Sequence, residues 1–125
     1  MQLMRAILLL YFTYLFFPQI SLSQSLEVKN VQFESDGKTV KIKYDLYGDV
    51  NKKYKIVLKL SDDNGFSYTI HPKTVTGDIG KSVKPGESKV IFWNLKEDFP
   101  AGLDGDNYVF AVEAEWLQQV QVFYI

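Results

Sequence analysis

Over residues 107–115 the chain reads NYVFAVEAE, and Tyr108, Phe110, Val112 and Ala114 occupy alternate positions. A period of two is the spacing of a β-strand, whose successive side chains point to opposite faces. On the second face Val109 and Ala111 are apolar as well, and Glu113 brings a charge. This predicts a strand covered on one side and partly shielded on the other, in the middle of its sheet rather than at an edge.

The same period recurs along the chain. Residues 39–47, TVKIKYDLY, set Val40, Ile42, Tyr44 and Leu46 against Lys41, Lys43 and Asp45, the pattern of a half-buried strand. Residues 53–60 repeat it with Tyr54, Ile56, Leu58 and Leu60, while Lys55 and Lys59 face outward. Residues 26–33, LEVKNVQF, change phase around Lys29 and Asn30, which predicts a bulge or bend. Phe66, Tyr68 and Ile70 read as a short strand pairing back as a hairpin, and residues 88–95, SKVIFWNL, as another strand. Between them, residues 71–86 hold Pro72, Gly77, Gly80, Pro85 and Gly86, so irregular chain or short edge pieces are expected there, including 73–76. Residues 96–106 form a long connection. Val120 and Val122 alternate with glutamines in a final segment, and residues 119–124 are expected to pair as a last strand beside 107–115 or to swap into a neighbouring molecule. No stretch carries the apolar spacing of an amphipathic helix. Six or seven short strands separated by turn signals predict an all-β, antiparallel sandwich of two sheets.

The chain has 125 residues. Residues 1–23 have Arg5 as their one charge, an apolar run over 6–17, Pro18, and the small residues Ser21 and Ser23 before Gln24, which is the pattern of a secretory signal peptide. The apolar run is short of the roughly 20 residues that a spanning helix needs. Residues 24–125 are then one sandwich domain. Removing Arg5 takes Lys plus Arg from 14 to 13 against 15 Asp plus Glu, a formal charge of −2. Lysines scattered among acids offer no footprint for nucleic acid. The chain has no cysteine, which excludes disulfides, thiolate metal sites and thiol chemistry, and suits a bacterial exported protein better than a small animal secreted domain.

The run YVFAVEA over residues 108–114 is similar to the Y-x-F-x-V-x-A strand of fibronectin type III domains. The ordered set VKNVQF, VKIKYDL, YKIVLKLSDDNG, TGDIG, KPGESKVIFWN and YVFAVEA resembles an immunoglobulin-like module near the N-terminus of exported Bacteroidetes-type proteins. There it often precedes another domain, such as a formylglycine-generating-enzyme-like one. The resemblance covers residues 28–114 and implies an immunoglobulin-like or fibronectin-III-like sandwich of about seven strands, exported, with no catalytic activity of its own. Nothing after Ala114 resembles a following domain.

Residues 61–68, SDDNGFSY, fit the Asp-box turn of β-propellers. In such a turn the carboxylate accepts backbone N–H groups, the glycine takes positive φ and an aromatic packs beneath, so Ser61, Asp63 and Gly65 are assigned a structural role. Calcium or sugar contact is the other reading of that turn. Asp104, Asp106 and Asn107 are oxygen-rich but lack EF-hand spacing and read as solvated turn residues. Residues 76–80, TGDIG, have neither phosphate-loop pattern and read as a turn. His71 is the sole histidine and has no serine-nucleophile motif to partner it. Of the aromatics, Tyr47, Phe66, Tyr68 and Trp116 are the candidates for an exposed ligand-contact platform. The function that follows is non-catalytic: protein–protein contact or spacing at the cell surface or in the periplasm. The alternatives are a carbohydrate-binding module and a truncated N-terminal module of a larger secreted enzyme. Neither cofactor nor metal is expected, and the partner is a protein or a glycan. Membrane contact is expected only during export.

Overall fold

The computed structural model describes residues 25–117. The expected signal peptide over 1–23 and the expected last strand over 119–124 lie outside these residues. Seven strands and one helical turn follow in order: β1 (Glu27–Ser35), β2 (Val40–Tyr47), β3 (Tyr54–Ser61), β4 (Val75–Gly77), β5 (Gly80–Val83), β6 (Gly86–Trp93), α1 (Leu95–Asp98) and β7 (Val109–Trp116). The strands form two antiparallel sheets, one in the order β1-β2-β6-β4 and the other β5-β3-β7. The fold is all-β.

Alternation decides which side chains meet between the sheets. Val40, Ile42, Tyr44 and Leu46 of β2 and Tyr54, Ile56, Leu58 and Leu60 of β3 are buried, together with Ile91 and Trp93 of β6. Trp93 is 0% exposed and meets Phe99 and Phe110 edge-on, at 6.1 Å between ring centroids in each case. In β6 the buried set is Ile91 and Trp93, while Phe92 faces outward and is exposed.

The phase change in β1 is a bulge between Lys29 and Gln32, where Asn30 takes φ 56°. A second irregularity lies where β6 begins beside β2, and Ser88 there takes φ 55°. One carboxylate serves both. Asp45 accepts from Asn30 Nδ2 and from the Ser88 N–H, each at 2.8 Å. These bonds, the Asn30 one first, hold the Asp45 carboxyl below its ordinary range.

Among the described residues β3 holds the middle of the β5-β3-β7 sheet and β7 pairs with β3; the strand expected on the other side of β7, over 119–124, lies outside them. Side-chain alternation reports which faces are covered; it carries no information on how many neighbours the backbone has. Two expectations are corrected. Phe66, Tyr68 and Ile70 do not form a strand, since only Ile70 reaches β3, exchanging two backbone hydrogen bonds of 2.9 and 3.1 Å with Leu60. The segment expected to be strand as far as Leu95 ends at Trp93. Asn94 then caps α1, its Oδ1 accepting from the Glu97 N–H at 3.2 Å and its Nδ2 donating to Glu97 Oε2.

The core is open along one side. Phe33 is paired with buried Ile42 and so faces inward, yet it is 50% exposed. Its ring meets Phe110 of the other sheet at 5.0 Å, over a cleft of about 340 Å³ that reaches Val40, Leu60, Trp93 and Leu95.

Candidate binding surfaces

The Ser61–Tyr68 turn is tied by its own side chains. Ser61 is 0% exposed; its hydroxyl donates to Asp63 Oδ1 at 2.7 Å and accepts the N–H groups of Asp63 and Gly65 at 3.2 and 2.8 Å. Asp63 Oδ1 also accepts the Ser67 N–H at 2.8 Å, and Oδ2 accepts the Ser67 hydroxyl. Asn64 and Gly65 take φ 62° and 89°, and a Cβ added to Gly65 would lie 3.5 Å from the half-buried Tyr68 hydroxyl. The Ser61 hydroxyl, followed by the two Ser67 donors, brings the Asp63 carboxyl down to about 2. Every oxygen of this carboxylate is directed at the turn itself. The turn is anchored further by the Asn64 N–H, which donates to the Asn107 carbonyl at 3.0 Å. Coiling of residues 63–67 around Asp63 is the reason the expected hairpin return does not form.

That turn presents Phe66 to solvent, 90% exposed. The four candidate aromatics are not gathered into one platform. Tyr47 ends β2 and Trp116 ends β7, both at the end of the sandwich where β3 begins, whereas Phe66 and Tyr68 follow the other end of β3. Tyr47 is half-buried with its hydroxyl 3.4 Å from Glu87 Oε1, and Trp116 is 43% exposed beneath Lys52 Nζ. Two separate surfaces result: Phe66 on a tied turn, and Trp116 among lysines.

In the other oxygen-rich loop the side chains of Asp104, Asp106 and Asn107 are exposed. The Asp104 carbonyl accepts the Tyr108 hydroxyl, and His71 is exposed. Among the described residues no three His, Asp or Glu side chains are gathered as a metal ion would require. The TGDIG segment contains Gly77 of β4, then Asp78, whose N–H donates to the Val90 carbonyl at 2.8 Å while its Oδ2 accepts the Val90 N–H at 2.9 Å. The Asp78 carbonyl accepts the buried Tyr44 hydroxyl, and burial, followed by the Asp78 charge, raises the Tyr44 phenol above its usual range.

The group that sequence reasoning missed is Asp98. Its carboxylate accepts the Lys73 N–H at 2.7 Å, the Thr74 N–H at 3.1 Å, the Thr74 hydroxyl at 2.6 Å and the Trp93 indole N–H at 2.8 Å. Burial pushes this carboxyl upward, but the Thr74, Trp93 and Lys73 donors outweigh it and hold the group well below the usual carboxylate range. One acid thus joins α1, the connection before β4 and the core tryptophan. Its position beside an Asn94-x-x-Glu97 spacing was the available sign of a capped turn, but nothing local marks its partners.

No protein-family model, no curated protein and no solved structure matches this chain.

Proposed function

We propose that the chain is an exported, non-catalytic module of the immunoglobulin-like or fibronectin-III-like kind, which contacts another protein, or spaces its neighbours, at the cell surface or in the periplasm. The observation that carries this reading is where the polar groups are directed. Asp45, Asp63, Asp78 and Asp98 each accept a backbone N–H of the chain itself, from Ser88, Ser67, Val90 and Lys73, and all but Asp78 accept side-chain donors as well. A carboxylate whose charged form is held by internal donors is a poor general base. What the tied turns do provide is rigid presentation of exposed side chains, Phe66 above all, and rigidity lowers the ordering cost of binding.

Export is tested on the protein produced with its own leader. Mass spectrometry of the periplasmic or secreted fraction is expected to find Gln24 at the mature N-terminus, free or cyclised to pyroglutamate. Intact protein beginning at Met1 and retained in the inner membrane would contradict the proposal.

A further inference from the structure

Where the β2–β3 loop, β5 and the end of β7 meet, a cavity of about 610 Å³ is lined by Asn51, Lys52, Lys53, Lys81, Ser82, Trp116 and Leu117. Three of these side chains are cations and none is an acid. Lys52 Nζ lies 4.0 Å from the centroid of the Trp116 indole and 3.8 Å from Asp49 Oδ2, the outer limit of an ion pair. Glu115 stands opposite Lys55 in the β3–β7 register. Like charges brought together repel, and an anion that enters between them relieves that repulsion.

We propose that this cavity binds an acidic polysaccharide, with carboxylate or sulfate groups on Lys52, Lys53 and Lys81 and a sugar ring against the exposed part of Trp116. The proposal rests on reading the domain as a binding module and names a ligand class for one of its surfaces. An indole offers apolar surface to the C–H face of a pyranose, and Lys52 Nζ, over one face of the Trp116 ring, sets a cation beside the part of it left exposed. The Asn51 amide and the Ser82 hydroxyl supply neutral partners for sugar hydroxyls. A nucleic acid fits less well. Its binding draws on many phosphate contacts along a basic track, whereas here three lysines form a single spot on a chain whose mature formal charge, 13 cations against 15 acids, is −2.

The test uses the exported protein and titrates it with polygalacturonate, dextran sulfate, uncharged dextran and a single-stranded oligonucleotide, following tryptophan fluorescence. Trp93 is fully buried, so a change on binding reports Trp116. Saturable binding of either acidic polysaccharide is expected, weakening as salt rises, with no response to uncharged dextran. The double change Lys53→Glu and Lys81→Glu is expected to weaken it by about tenfold or more. Both residues are exposed, so its melting temperature should match that of the unchanged protein. The absence of saturable binding by either polysaccharide, unchanged affinity in the double variant, or tighter binding of the oligonucleotide than of both polysaccharides would each overturn the proposal. None of these results bears on whether Phe66 contacts a protein, so failure here is distinguishable from failure of the binding-module reading.

Discussion

Replacing Asp98 by alanine is expected to destabilise the fold by about 2–4 kcal/mol, which is a large share of the stability of a domain this size. The change removes the acceptor for four donors at once. The most serious is the Trp93 indole N–H, because the ring is 0% exposed and fixed by its edge-on contacts with Phe99 and Phe110, so the donor cannot turn to another acceptor. The Lys73 and Thr74 N–H groups would also be released, freeing the connection that leads into β4. Asp98→Asn keeps one acceptor oxygen but turns a donor toward the same cluster, so it should recover only part of the loss. The pH dependence follows from the direction of the shift. Asp98 is held below the roughly 3.9 of an unfolded aspartate, so its stabilising contribution is complete above that pH and is lost as pH falls toward the folded value. Asp63, brought down to about 2, acts in the same sense over the same acid window. Thermal melts from pH 6 to pH 2 are expected to show the wild type losing stability below about pH 4, with Asp98→Asn starting lower and falling less steeply. Parallel curves would remove Asp98 from the explanation.

A similar loss is expected from a single methyl group at Gly77. This glycine has φ 95°, and a Cβ there would stand 2.4 Å from the Val90 carbonyl oxygen, the same oxygen that accepts the Asp78 N–H. Backbone rather than a movable side chain is in the way, so relief requires β4 to separate from β6. Gly80 is the control. It also has positive φ, 100°, but nothing lies within 4 Å of its Cβ position. Gly80→Ala should therefore cost about 1–2 kcal/mol of backbone strain alone, and Gly77→Ala about 3 kcal/mol or more. Chemical denaturation of the two variants separates the terms. Equal losses would mean that the close approach of β4 to β6 is not a constraint on this fold.

The contrast between these sites and the strands explains what was legible in the sequence. Residues 40–47 and 54–60 declare their buried face because each strand has one covered and one solvated side, and the bulge at Lys29 and Asn30 declares itself as a change of phase. The Ser61–Asp63–Gly65–Ser67 turn is equally local, its bonds spanning two to four residues. Asp98 is different: its contacts with Lys73 and Thr74 bridge 25 and 24 residues, and no local pattern encodes them. The place of β7 at the side of β3 was hidden for another reason, since backbone hydrogen bonds leave no trace in the alternation of side chains. The lysine cavity was hidden by distance along the chain. Lys52 and Lys53 lie in the loop before β3, Lys81 lies in β5, and only the β3–β5 pairing brings them together. Read along the sequence, those lysines are diluted by acids. The candidate aromatics show the converse error, since four residues grouped by exposure alone prove to occupy opposite ends of β3.

The central claim is that this domain works by contact and not by catalysis, and Phe66 is where it can be tested most directly. A large apolar ring 90% exposed on a turn held by Ser61 and Asp63 contributes little to the fold and is placed to enter a partner's apolar pocket. The measurement is site-specific photo-crosslinking from position 66 of the full chain, in cells that produce it, with position 53 as the control at the opposite end of β3. The account predicts a discrete protein adduct from position 66 that is absent from position 53, and an unchanged melting temperature for Phe66→Ala. No adduct from position 66, or the same set of adducts from both positions, would contradict it.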